Sequence, residues 1–173
     1  MSFVPVLVTT AGRQVIVAGG GSQAEWKVHR LTRANVAVTV ISDAFQPSLD
    51  MWRNHPLVTI RHGTIEASDL APGSLVFLAD EARAQAEAIK TVSEQKGAWI
   101  NVVDQPAWCD FYSMAELRRG DLIVAVATSG KAPGLARDVR DLLEQLLGDH
   151  WAQTVDARAK QRLIYSSRTS EIR

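Results

Sequence analysis

The chain has 173 residues, enough for one domain with an appendage, and 46% hydrophobic with 22% charged residues is an ordinary globular composition. Nineteen basic residues balance nineteen acidic ones, so global charge argues neither for nor against a nucleic-acid partner. No basic-then-apolar leader opens the sequence and no apolar run approaches ~18 residues, which predicts a cytoplasmic protein without a membrane partner. A single cysteine, Cys109, excludes an internal disulfide framework, and no histidine lies near enough in sequence to activate it. His29, His55, His62 and His150 are scattered, with no pair at metal-ligand spacing, so no metal site is expected.

Residues 1–13 form an apolar lead-in with Pro5 that ends in a turn at Gly12. A short β-branched strand follows, Gln14–Ala18, and runs into three glycines, Gly19, Gly20 and Gly21. From Ser22 to Asn35 the apolar residues Ala24, Val28, Leu31 and Ala34 recur at helical spacing, with Lys27 and Arg30 expected outside. Val36–Ile41 is a second, buried strand. Strand, glycine loop, helix and strand make a βαβ unit, which imposes a parallel sheet. Within it Gly19-x-Gly21-x-x-Ala24 is a dinucleotide fingerprint. Gly19 permits the tight turn, Gly21 lets a pyrophosphate approach the backbone, and Ala24 allows close packing of helix on strand. The amides around Ser22 and Gln23 at the helix start then face the phosphates with a favourable dipole. A glycine-rich turn without a ligand is the alternative.

Asp43, with Ala44 beside it, lies just past the second strand and 24 residues after Gly19. A dinucleotide fold places an acid there on the adenosine ribose, which favours NAD over NADP; a plain turn aspartate fits equally. A short helix is expected in 45–54, a third strand in Leu57–Arg61, a connector in Ile65–Leu70 and a fourth strand in Leu75–Leu78. That strand ends at Ala79-Asp80-Glu81, placed to face a cofactor outside the carboxyl ends of the strands. Asp80 could equally cap the helix Glu81–Lys96, which Gly97 ends. Trp99–Val103 is the fifth strand, taken as a central one, and delivers Asp104. A carboxylate at that end is a candidate for proton chemistry, with a turn before Gln105-Pro106 as the alternative.

After Asp104 the pattern changes. Phe111–Leu117 is an extended segment, Arg119-Gly120-Asp121 a hairpin turn and Leu122–Ala127 an apolar strand, which predicts an antiparallel pair. A polar loop, residues 128–133, leads into a helix over Leu135–Leu147 with Pro133 in its first turn. Gly148 ends it, Trp151–Tyr165 has weak helical character, and Ser166–Arg173 is a polar, frayed tail. Between Arg118 and Arg140 five basic residues face two acidic ones, a local field suited to a polyanionic substrate; a solvated helix face explains Arg137 and Arg140 as well. Lys131, in the loop before the helix, is the most telling member.

The glycine loop, Asn101-Val102-Val103-Asp104, the segment from Phe111 to Arg119, and Thr128-Ser129-Gly130-Lys131-Ala132-Pro133-x-Leu135-Ala136-Arg137 occur in one order. Together they resemble the precorrin-2 dehydrogenase / sirohydrochlorin ferrochelatase family, the N-terminal module of siroheme synthase, over roughly residues 3–147. The resemblance implies an α/β fold: a Rossmann-type parallel sheet in residues 1–107, a dimerisation and substrate region with extra strands in 108–147, and a short helical part in 148–173. It implies NAD-dependent oxidation of precorrin-2, a tetrapyrrole, to sirohydrochlorin for siroheme or cobalamin. In some members insertion of Fe²⁺ follows. It puts the catalytic aspartate on Asp104 and the cofactor contacts on Gly19, Gly21, Ser22, Gln23, Asp43 and Ala44, to which Ala79 and Asp80 are added. Substrate carboxylates are expected on Thr128, Ser129, Lys131 and Arg119. The expected partner is a second copy of the chain, with no nucleic acid and no membrane.

Four departures stand out. The usual Ala-Thr-Asp is Leu78-Ala79-Asp80, a common proline is Met114, the usual arginine of the first helix is Trp26, and the helical tail is short. They weigh against metal insertion more than against dinucleotide binding. A non-catalytic NAD-binding or tetrapyrrole-carrier module is the competing reading, and Asp104 is the residue that a pure carrier does not need.

Overall fold

The computed structural model describes Ser2–Ser170, with side chains described as far as Arg162. The chain divides into two compact units, Ser2–Tyr112 and the part from Ser113 on.

The first unit is a five-stranded parallel sheet in the order β3-β2-β1-β4-β5. The strands are β1 (Val15–Ala18), β2 (Val38–Ser42), β3 (Val58–His62), β4 (Leu75–Leu78) and β5 (Trp99–Val102). Both β1 and β4 are buried at every position, as a sheet covered on two faces requires. Side chains alternate between the faces. Val15, Val17, Val38, Val40 and Phe77 pack with Ala24 and Val28 of α1 (Ser22–Arg33), and with Leu49 of α2 (Pro47–Asp50). Ile16, Ala18, Val76, Leu78, Ile100 and Val102 pack with Ala86 and Ile89 of α3 (Ala86–Lys96). The connection turns one way from β1 to β2 and the other way to β4, so the carboxyl ends of β1 and β4 meet at a topological switch point, where open α/β sheets take ligands.

Several expectations are corrected. β5 is an edge strand, not a central one. The segment after Gln105 covers its edge: Asp110 donates its amide to Ile100 O and accepts the Ile100 amide on Oδ2. Cys109 Sγ accepts the Val102 amide and donates to its carbonyl, so the thiol serves to tie this segment to β5. β2 begins at Val38 because the amide of Val36 still closes α1, on Leu31 O, after Asn35 turns left-handed at φ +57°. The helix expected over 81–96 is a 3₁₀ segment, Asp80–Gln85, followed by α3, which Gly97 ends in a left-handed cap. Lys27 is inside, at 7% exposure, not outside.

In the second unit β6 (Ala115–Arg119) and β7 (Leu122–Val126) form an antiparallel hairpin joined at Gly120-Asp121. α4 (Pro133–Leu146) packs on both strands, and so does α5 (His150–Ser170). The helix continues through the first part of the segment expected to fray; residues 171–173 lie outside those described. Among the described residues no helix is long and apolar enough to cross a membrane.

Candidate active site

The glycine loop leaves β1 with Gly19 at φ +130°, a conformation L side chains rarely adopt. A Cβ on Gly19 would lie 2.6 Å from the carbonyl oxygen of Ala79, and one on Gly20 only 1.8 Å from that of Ala44. The loop is therefore wedged between the ends of β2 and β4. Buried Ala79 serves as its wall, and Ser22 stands exposed at the mouth.

α1 starts at Ser22 without a cap from its own chain end. Its orphan donors are met from the far side of the switch point. Asp80 Oδ2 accepts the amides of Gly21 at 2.9 Å and Ala24 at 3.0 Å, and its Oδ1 accepts that of Gln23 at 3.2 Å. Glu81 Oε1 accepts the Gly20 amide at 3.0 Å and the Ser42 hydroxyl at 2.5 Å. Asp80 thus caps α1 and not the helix that follows it. The chemistry of this donor set fits a dinucleotide: amides at a helix start converge on anionic oxygens, the arrangement that holds a pyrophosphate. Asp43 and Ala44 are exposed beyond buried Ser42, at the end of β2, where the ribose of such a ligand belongs.

Gln23 joins this loop to Asp104. Its Oε1 accepts the amide of Asp80 at 3.1 Å, and its Nε2 donates to Asp104 Oδ2 at 3.4 Å. Arg83 Nη1 stands 3.6 Å from the same oxygen. The Asp104 side chain is 72% exposed and the residue is held at φ +59°. Four described non-glycine residues have positive φ, and three of them, Asp80, Asp104 and Ser129, are site candidates from the sequence. Strained backbone of this kind gathers where function holds it. A cleft of about 230 Å³ opens alongside, lined by Ser22, Gln23, Trp26, Lys27 and Val103.

Lys27 is the residue sequence reasoning missed. Its Nζ donates to Asn101 Oδ1 at 3.3 Å and lies 4.9 Å from the centre of the Phe77 ring. Burial is the main cause that lowers its pKa from 10.5 to about 8, and the Arg30 charge acts in the same sense. Cys109 and Asp104 pull weakly the other way. Its position was legible: three after Ala24 and next to Val28, it sits on the apolar stripe of α1. Glu81 was singled out with Asp80 at the end of the fourth strand, but its partner, the Gly20 amide, lies 61 residues away and no local signal marks it.

The other candidates belong to the second unit. Thr128 Oγ1 accepts the amide of Ala132, and its carbonyl accepts that of Lys131, so this residue ties the loop before α4. Ser129 and Lys131 are exposed on the loop. Arg119 is committed elsewhere: its guanidinium donates to the carbonyl of Leu147 at 3.0 Å and to that of Arg118 at 3.0 Å, and it faces Glu144 and Asp149. It holds the end of α4. Among the described residues no group of three or more His, Cys, Asp or Glu is placed to hold a metal ion.

Comparison with known proteins agrees with this geometry. The family of putative NAD(P)-binding proteins matches residues 6–115. The siroheme synthase of Nitrosococcus oceani is 29% identical over 173 residues, 100% of this chain and 37% of that protein. That of Citrobacter koseri is 33% identical over 153 residues, 88% of this chain and 34% of the relative. That of Methylococcus capsulatus is 33% identical over 144 residues, 83% and 30% respectively. The chain thus spans about a third of the length of these relatives. Among solved structures, SirC, a precorrin-2 dehydrogenase, shares the fold at TM-score 0.75 and 19% identity, over 93% of this chain and 79% of that one. With more than half of its length matched and the glycine loop in place, the chain belongs to the family of putative NAD(P)-binding proteins.

Proposed function

We propose that the chain is an NAD-dependent dehydrogenase that oxidises precorrin-2 to sirohydrochlorin. The siroheme synthases it resembles and the precorrin-2 dehydrogenase that shares its fold point to this substrate. The observation that carries the reading is the Gln23 side chain, which ties Asp104 to the dinucleotide loop. A carrier needs no carboxylate held at that place.

NAD⁺, when bound, supplies the hydride acceptor. Gly19 makes the turn, its own amide bonded to Ile41 O, while the amides of Gly21, Ser22 and Gln23 would hold the pyrophosphate beside the wall formed by Ala79. Asp43 and Ala44 take the ribose side. A reduced tetrapyrrole that loses a hydride becomes a cation and must shed a proton. Asp104 accepts that proton, oriented by Gln23 and with Arg83 beside it. Thr128, Ser129 and Lys131 engage carboxylates of the substrate. Should Fe²⁺ be inserted afterwards, as a substrate, Asp104 would accept the pyrrole N–H protons that the metal displaces. The cytoplasm is the proposed location and a homodimer the proposed assembly. The exposed stripe Leu135, Val139, Leu142 and Leu146 on α4 supports a self-complementary contact.

The test is Asp104→Asn, which keeps the left-handed backbone tolerable while removing the base. Turnover should fall about 10²–10⁴-fold while NAD⁺ affinity stays. Unchanged turnover would mean that Asp104 only shapes its turn.

A further inference from the structure

The glycine loop already holds an anion, and that anion is part of the chain. Four amides, those of Gly20, Gly21, Gln23 and Ala24, are all bonded to the carboxylates of Asp80 and Glu81. The crowding tells the same story. A Cβ on Gly21 would lie 2.6 Å from Asp80 Oδ1 and 2.7 Å from its Cγ. The glycine that a dinucleotide fingerprint reserves for close approach of a pyrophosphate is here taken up by a side-chain carboxylate. One set of amide donors cannot serve two anions, and the like charges repel.

We infer that Asp80 and Glu81 are a displaceable internal anion that sets the affinity of this site for dinucleotides. The inference rests on the NAD-dependent reading given above. Their place in the fold suits displacement. Both open the short 3₁₀ segment Asp80–Gln85, whose bonds are weaker than those of an α-helix, and Glu81 is exposed. Asp80 is held at φ +48°, a conformation it can relax once its bonds to the loop are given up. The closed arrangement caps α1 and keeps the loop in shape without ligand. A pyrophosphate takes the same donors as the carboxylates swing out, so the observed affinity is the intrinsic one reduced by the open fraction.

Calorimetric titration with NAD⁺ and with ADP-ribose tests this on the wild-type chain, Asp80→Asn, Glu81→Gln and the double variant, with thermal unfolding of each as the check on folding. Glu81→Gln leaves the Asp80 cap of α1 in place and guards against an unfolded Asp80 variant. Each neutralised carboxylate should tighten both ligands about tenfold, the effect of one like charge removed from beside a phosphate. Folded variants that bind equally or more weakly than wild type would overturn the inference and leave the cofactor reading intact. Binding of neither ligand by any of the four proteins would overturn the cofactor reading, and the inference with it.

Discussion

Replacing Lys27 by Met should change how the stability of the first unit depends on pH. In the folded chain the Lys27 pKa lies at about 8, lowered from 10.5 chiefly by burial. In the unfolded chain it returns to its ordinary value near 10.5. Between these values the unfolded chain binds more protons than the folded one, so stability rises with pH across that window. Below about pH 8 both states are protonated and the folded state bears the whole penalty of a buried ammonium. The displacement corresponds to about 3 kcal/mol. Met keeps the apolar stem and removes the charge. It gives up the bond to Asn101, worth about 1 kcal/mol, and the contact with the Phe77 ring, worth about 0.5–2 kcal/mol. At neutral pH the variant should be the more stable protein by about 2 kcal/mol, the ionisation penalty less the Asn101 bond. Near pH 10 Lys27 is neutral in the folded chain, its attraction to the ring is gone, and the two proteins should be about equally stable. Urea unfolding of both proteins, followed by circular dichroism from about pH 7 to pH 10, measures the difference. Tyr112 and Lys90 titrate alike in both proteins and cancel, whereas the Cys109 thiol, which the Lys27 charge pulls down, is pushed further up in the variant. Parallel stability curves would refute the claim that Lys27 is buried as a charge under α1.

Gly20→Ala should lower stability by at least about 3 kcal/mol and the Tm by about 10 °C, because its Cβ would meet the backbone oxygen of Ala44 at 1.8 Å; differential scanning calorimetry reads this, and a wild-type Tm would mean that the loop is not wedged there. NAD⁺ should bind at least about tenfold tighter than NADP⁺, since the exposed Asp43 carboxylate repels a 2′-phosphate, and Asp43→Ala should narrow the gap. Equal affinities in the wild type would remove Asp43 from the site. Light scattering should find a dimer that Leu142→Asp combined with Leu146→Asp dissociates, both positions being exposed on α4; a monomeric wild type at micromolar concentration would contradict the proposed assembly.

The parallel sheet was legible because its strands are short, mostly apolar runs between turn signals, and β1 and β4, covered on both faces, carry no polar positions to blur them. The loop after β1 was legible because glycine is the residue type its geometry demands. Strand order was not, since sequence proximity says nothing of which edge β5 takes; Asp104 therefore stands at a sheet edge that the 109–111 segment covers. Helix ends shifted by a few residues where capping decided them, as at Asn35. The two residues that alter the picture most were hidden for different reasons. Lys27 sits on the apolar stripe, but its charge argues for the outside until Asn101 and Phe77 are seen around it. Asp80 carries a signal for capping, yet the helix it caps begins 58 residues earlier in the chain and is found only through the switch point. Arg119 gave the opposite outcome: its place in a basic stretch suggested a ligand, and its donors go to the end of α4.

The proposed reaction, transfer of hydride from precorrin-2 to NAD⁺, has a direct test. Purified protein should be mixed with precorrin-2 and NAD⁺ under anaerobic conditions, with NADH and sirohydrochlorin followed together by absorbance. NADH and sirohydrochlorin should appear in equal amounts, at a rate proportional to protein and strongly reduced in Asp104→Asn. Binding of NAD⁺ and precorrin-2 with no NADH formed by folded protein would contradict it, and would mark the chain as a carrier.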